Sequence, residues 1–480
     1  MNYSQFLNMI PEFYLVLILI VVFVVDFIMH KSEKKHDVLS AVTIALTAVL
    51  SVRIALMAEP AEAFGGIYVT SQIANVMKVI LTAGTVIVLI MSQAWLETNR
   101  RYEGEYYMLI LSTLLGMFMM LSSGSFLMFF LGLEMASVPL ACLVAFDKRK
   151  KESAEAAAKY ILIATFSSGV MLFGISFIYA ATGSLYFDNV AEVITASPLS
   201  IIGMVFFFSG LGFKISLVPF HFWTADTYQG APTPVTGYLS VVSKGAATLT
   251  LAIILVKVFG SMVAWWQPLL WIVIMLTITI GNLMAIRQTE LKRFMAFSSI
   301  SQAGYIMLAV IGANPAASQT ALTFYVLVYV VANMSVFSVI SAVEHRAGAG
   351  TQMSAYNGLY QTNPKLAFIM TIALFSLAGI PPFAGMFSKF FVFMAGVDGQ
   401  DGMPFWPYFV VFIALINTVV SLYYYLLIVK AMYIKKEDNP LPTFAHGRAI
   451  NTSLTICTIG IVLFGVCSCI YQWIANAAGM

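Results

Sequence analysis

Residues 210–244 read GLGFKISLVPFHFWTADTYQGAPTPVTGYLSVVSK. Two lysines, Lys214 and Lys244, stand in apolar surroundings where lipid-spanning helices are expected. Between them lie a proline inside a hydrophobic run (Pro219), a histidine (His221) and a turn carrying Pro232 and Pro234. A charge near the bilayer centre costs at least about 2.5–3.5 kcal/mol on insertion scales, so such residues face a protein or water-filled interior. Two of them in successive spans predict a polar path through a membrane protein, with the rest of the chain as its scaffold.

Composition points the same way. Of 480 residues, 60% are hydrophobic and only 10% charged, and the mean hydropathy of +0.89 excludes a soluble domain of this length. The first apolar run, after Pro11, is followed by no small-residue cleavage site and reads as a retained span. The four cysteines, Cys142, Cys457, Cys467 and Cys469, form no CxxC and have no histidine at ligand spacing. No glycine-rich phosphate loop, haem motif or iron–sulfur spacing is present. The chain is expected to hold no metal and no cofactor of its own, and nothing in it points to nucleic acid.

Apolar runs of spanning length fall at 11–29, 38–57, 74–94, 106–123, 125–146, 157–181 and 203–228. They continue at 232–258, 263–285, 292–312, 318–343, 364–395, 406–433 and 450–475. These are spans 1 to 14 of an all-α polytopic membrane protein. Basic residues follow spans 1, 3, 5, 9, 11 and 13: Lys31, Lys34 and Lys35; Arg100 and Arg101; Lys148 to Lys151; Arg287, Lys292 and Arg293; Arg346 and Lys365; Lys430, Lys435, Lys436 and Arg448. The loops after even spans, such as AEPAEAFGGIYVTSQ, GSLYFDNVAEVITASP and GVDGQDGMP, are neutral or acidic. The basic loops are therefore placed in the cytoplasm and both termini outside. Arg53, Lys78, Lys159 and Lys257 lie towards span ends and are expected to snorkel to the interface.

Lys214, Lys244 and Lys389 cannot snorkel easily. From Pro232, Lys244 is about 18 Å along a helix, roughly mid-membrane. Span 12 reads FSLAGIPPFAGMFSKFF, where Pro381 and Pro382 interrupt the run ahead of Lys389; a proline lacks the amide hydrogen and clashes with the preceding turn. Span 7 shows the same layout around Pro219. Two interrupted spans five apart suggest two inverted five-helix units, 105–260 (spans 4–8) and 261–434 (spans 9–13). They would be flanked by a three-helix segment, 1–104, and a last helix in 435–480.

Glu134, in FFLGLEMASVPL, is the buried acid of span 5 and the natural ion-pair candidate for Lys214. A lysine that alternates between a carboxylate partner and an unpaired state can take up and release protons. Lys244 has no acid on its own helix, and Lys389 would extend the line laterally. His221 either bridges towards Lys244 or is a core histidine bonded to the kink's free carbonyl. Asp226 and Tyr228 read as turn and interface residues. A Glu–Lys pair inside a membrane can also be purely structural, fixing helix register.

The run LGFKISLVPFHFWTADTYQGAPTPVTGYLSVVSK resembles the signature of the antiporter-like proton-pumping subunits of complex I. With LGLEMASVP, LKRFMAFSSISQAGY and PPFAGMFSKF, the resemblance extends over nearly the whole chain, and YQGAPTPVTGYLS points to the N type rather than the L and M types. The resemblance implies that Glu134, Lys214, Lys244 and Lys389 form a proton channel, with His221 less directly involved. It implies proton translocation driven by NADH oxidation and quinone reduction elsewhere, so that FMN, iron–sulfur clusters and quinone belong to partner subunits. The neighbours implied are an M-type antiporter-like subunit and the small K-type subunit, in a bacterial inner membrane. An Mrp-type cation/proton antiporter subunit and a non-pumping structural subunit of a related respiratory or hydrogenase complex are the alternatives. Span 11, LTFYVLVYVVANMSVFSVIS, has no central charge, leaving water, serine and tyrosine to connect Lys244 with Lys389.

Overall fold

In the computed structural model, residues 3–97, 100–346, 348, 350–399, 405–435, 441–445 and 447–480 are described. The Arg101 and Arg346 side chains, Lys436 and positions 400–404, all used in the charge pattern, lie outside them. Spans 1–6 are Ile10–Ile28, Lys35–Met57, Gln72–Leu96, Glu103–Leu121, Phe126–Val144 and Lys151–Thr182. Span 7 is Pro198–Ile215 followed by Phe222–Gly230, and span 8 is Thr233–Lys257. Spans 9–11 are Val263–Ile286, Leu291–Leu308 and Pro315–Arg346. Span 12 is Pro364–Ala378 plus Ala384–Val397, and span 13 is Phe405–Tyr433. Span 14 is Arg448–Val466 plus Ser468–Ala477, so it breaks at Cys467 where one continuous helix was expected.

Hydropathy alone places the spans, but burial sorts them. The apolar windows of spans 10 and 11 are 100% and 94% buried, whereas those of spans 1, 2, 6, 13 and 14 are 28–33% buried. The first set forms the interior and the second the rim. Span 6, at 32 residues, is about 48 Å long and exceeds a hydrocarbon core of about 30 Å, so it tilts or projects. The loop after span 2 folds as a hairpin in which Ala61–Ala63 pairs antiparallel with Tyr68–Thr70. Its turn uses Gly65 and Gly66 at φ 63 and 86, which glycine adopts without a Cβ clash.

Both expected interruptions are present, and they share one backbone design. The first half of span 7 ends at Ser216 (φ 69), and the Leu217 amide reaches back to the Gly212 carbonyl at 2.8 Å. In span 12 the left-handed residue is Gly379 (φ 89), and the Ile380 amide reaches the Phe375 carbonyl at 3.0 Å. Prolines follow in each case, with Val218–Pro219 and Pro381–Pro382 both cis. Groups freed by the breaks find side-chain partners, as membrane burial requires. The Val218 amide donates to Thr277 Oγ1 at 3.0 Å, and the Gly385 amide to Ser376 Oγ at 3.2 Å. The interrupted spans are the fourth members of spans 4–8 and of spans 9–13.

Candidate functional site

Lys214, Lys244 and Lys389 are all interior, 3%, 2% and 4% exposed. Lys214 is the last-turn residue of the first half of span 7 and projects towards span 5. Its Nζ donates to Ser137 Oγ at 2.9 Å and lies 3.4 Å from the Ala136 carbonyl. The expected ion pair with Glu134 is not formed. Glu134 sits one helical turn from Ser137, half-buried, near enough for its charge to act on Lys214 but out of contact. The break after Ile215 sets the height at which Lys214 meets span 5, and that height is the Ser137 turn.

Lys244 follows a π turn at Leu239–Ser243, an irregularity that recurs at functional sites. Its Nζ donates to Ser299 Oγ of span 10 at 2.7 Å and lies 5.5 Å from the Tyr228 ring centroid. Tyr228 is fully buried, with its hydroxyl 3.3 Å from Ser299 Oγ, so it is a member of the site rather than the interface residue expected. Asp226 does lie at the edge, pairing with Lys159 at 2.8 Å and Arg293 at 2.6 Å and so joining spans 6, 7 and 10. His221 lies beside the Pro219 carbonyl and stacks on Phe222 at 4.5 Å; its Nδ1 makes no hydrogen bond, and it does not bridge to Lys244.

Lys389 folds back onto its own break. Its Nζ donates to the Ala378 carbonyl at 3.0 Å, at the C-terminus of the preceding half-helix, where unpaired carbonyls favour a cation. Gly379 is required there twice: for its positive φ, and because a Cβ would stand 3.0 Å from Lys389 Cδ. Among the described residues none of the three ammonium groups pairs with a carboxylate; each is held by hydroxyls or carbonyls.

Between Lys244 and Lys389 the structure supplies residues that the sequence reading left unnamed. Span 11 turns Tyr325, Tyr329 and Asn333 inward at four-residue spacing. Tyr325 donates to Gln302 Oε1, and Asn333 donates to Ser240 Oγ. Gln302 in turn donates to the Leu377 carbonyl and to Tyr425, both at 3.2 Å. The signal was available as a polar stripe at i, i+4 and i+8 in an otherwise apolar helix.

Two further buried lysines were misread. Lys78 does not snorkel: it is fully buried and donates to Glu12 Oε1 at 2.7 Å, with Tyr68 donating to the other carboxylate oxygen at 2.9 Å. Lys292, counted as a loop cation, is 5% exposed and donates to the Ala231 carbonyl at 2.9 Å. By contrast Lys257 pairs with exposed Asp188 at 2.7 Å, and Arg53 lies over the Tyr14 ring at 4.4 Å.

A polytopic membrane fold with spans 7 and 12 broken at prolines and with three interior lysines defines a class of membrane-embedded subunits. Residues 123–430 match the family model for NADH:quinone oxidoreductase/Mrp antiporter membrane proteins. The chain is 52% identical to NADH-quinone oxidoreductase subunit N of Phocaeicola vulgatus over the full length of both, and 49% identical to that of Azobacteroides pseudotrichonymphae over 99% of this chain and 98% of the relative. It belongs to the subunit N family of NADH-quinone oxidoreductases. A chain of respiratory complex I from Thermus thermophilus superposes with a TM-score of 0.76 at 29% identity, covering 95% of this chain and 98% of that one. A chain of the Mrp complex from Dietzia sp. shares the fold, with a TM-score of 0.82 at 19% identity, 98% of this chain and 97% of that one being covered.

Proposed function

We propose that this chain is the antiporter-like, proton-translocating membrane subunit of a respiratory NADH:quinone oxidoreductase. The observation that carries the reading is the line of buried lysines held only by neutral partners. A lysine bound to hydroxyls and carbonyls forfeits no ion pair when it gives up its proton, so it can cycle between charged and neutral forms. Lys244 is the central carrier, Lys214 its modulator and Lys389 its lateral acceptor. Glu134 acts on Lys214 from a distance in the arrangement described and approaches it in the other state of the cycle. With the Glu134–Lys214 pair closed, the carboxylate offsets the Lys214 charge and Lys244 takes up a proton; with it open, the uncompensated Lys214 charge drives the Lys244 proton towards Lys389. His221 acts only through its position at the break.

Electron transfer belongs to partner subunits that hold FMN, iron–sulfur clusters and quinone; M-type and K-type membrane subunits are the expected neighbours. The repeat units 105–260 and 261–434 are proposed as two inverted half-channels, an assignment supported by the matching breaks. The basic-loop pattern supports a bacterial inner-membrane placement with both ends periplasmic. An impermeant thiol reagent should label a cysteine at position 399 in intact cells and leave one at position 149 unlabelled; the reverse pattern would overturn the orientation.

The deciding experiment replaces Lys244 with arginine in the assembled complex. Guanidinium stays protonated, so proton pumping per NADH oxidised should be lost while assembly persists. Normal pumping by assembled Lys244→Arg complex would refute the relay.

A further inference from the structure

The proposed relay leaves a gap between Lys244 and Lys389, and among the described residues no charged side chain fills it. Tyr329 stands in that gap. It is 3% exposed, and its hydroxyl faces Ser299, the residue that holds Lys244, without completing a hydrogen bond. On its other side it lines a cavity of about 10 Å³ together with Gln302, Tyr325, Ser376, Ser388 and Lys389. That volume is about what one water molecule needs, and the side chains of Tyr329, Ser388 and Lys389 are among those that line it. A buried hydroxyl with no direct partner, beside a cavity of that size lined by Lys389, marks a candidate water position.

We propose that Tyr329 is the relay hydroxyl between Lys244 and Lys389, working through one water in the cavity beside Lys389. The inference rests on the proton-translocating reading above. Ser299 takes a proton from the Lys244 ammonium as it passes its own to the Tyr329 oxygen. Tyr329 releases its hydroxyl proton to the water, which hands one to the neutral Nζ of Lys389. For each N–H or O–H bond broken another forms, both hydroxyls and the water end neutral, and one positive charge has moved from Lys244 to Lys389. The phenol never needs to ionise. Rotation of the Tyr329 C–O bond between Ser299 and the cavity resets the path, so the same hydroxyl can open and close it.

The test is Tyr329→Phe in the assembled complex, which removes the hydroxyl and keeps the ring. Losing a positioned proton-transfer group typically slows transfer by about 100-fold or more. Pumping per NADH oxidised should therefore collapse with assembly intact. Tyr329→His, which restores a transferable proton, should recover part of it with a pH profile shifted towards that of an imidazole. Loss in both variants would assign Tyr329 a packing role and overturn the relay, as would normal pumping by Tyr329→Phe. If Tyr329→Phe does not assemble, high-resolution density for the unaltered complex decides: a water bridging Tyr329 and Lys389 is expected, and a dry cavity refutes the proposal. Normal pumping by Lys244→Arg would sink both readings; a silent Lys244→Arg beside a normal Tyr329→Phe would sink this one alone.

Discussion

Lys78 and Lys244 are both buried lysines in membrane spans, and their surroundings are opposite. Lys78 meets the Glu12 carboxylate at 2.7 Å, and Tyr68 and Ser122 occupy further sites on that carboxylate. Lys244 meets a serine hydroxyl and the face of a tyrosine. Two facing charges compensate each other's desolvation, so the first cluster ties the N-terminal ends of spans 1 and 3 together. The second lysine has no countercharge to lose. Burial alone therefore does not separate the two lysines; the charge of the partner does.

The largest effect should come from opening the paired site. Glu12→Ala strands the Lys78 charge in a fully buried position, and removing one partner of a buried pair costs about 3–5 kcal/mol. The complex should dissociate at a markedly lower temperature, whereas Lys244→Met should leave that temperature unchanged or raised. If the two variants are equally unstable, the distinction between the sites fails.

A second variant moves one site towards the other. Ser299→Asp places a carboxylate against Lys244 and should turn it into a fixed ion pair like Lys78. Pumping should stop in a complex that still assembles, and Ser299→Thr, which keeps the hydroxyl, should pump. Pumping by Ser299→Asp at the normal rate would mean that neutral partners are not what matters.

The smallest effect is expected at Glu134. Because Glu134 is out of contact with Lys214 in the described arrangement and pairs with it in only one of the two proposed states, Glu134→Ala should slow pumping only partly, and Glu134→Asp less still. Complete loss in the Glu134→Asp complex would require a direct contact that the described arrangement does not contain, and would move Glu134 into the relay itself.

The spans, the two breaks and the candidate lysines were readable from the chain because each rests on local physics. A run of apolar residues decides insertion, a proline removes its own amide hydrogen wherever it stands, and a lysine at mid-span is costly whatever its neighbours. Lys214, Lys244 and Lys389 were found in this way, and so were Pro219 and Pro381. The partners of those charges were not readable. Glu12 lies 66 residues from Lys78, Ser137 lies 77 from Lys214 and Ser299 lies 55 from Lys244. Nothing local distinguishes the serine that holds a lysine from one that only bonds its own helix, as Ser92 bonds the Val88 carbonyl four residues back.

Tyr325, Tyr329 and Asn333 show the same division. Their spacing places them on one face of span 11, which is a property of the helix. Whether that face meets lipid or the lysines depends on how span 11 packs among its neighbours, and span 11 is buried on nearly every side. The sequence by itself determined a fourteen-span protein with interrupted spans and interior charges, because insertion and helix breaking are decided within single segments. Only the tertiary structure decided which lysines are paired and which are held by neutral groups, because that choice depends on distances between segments remote along the chain.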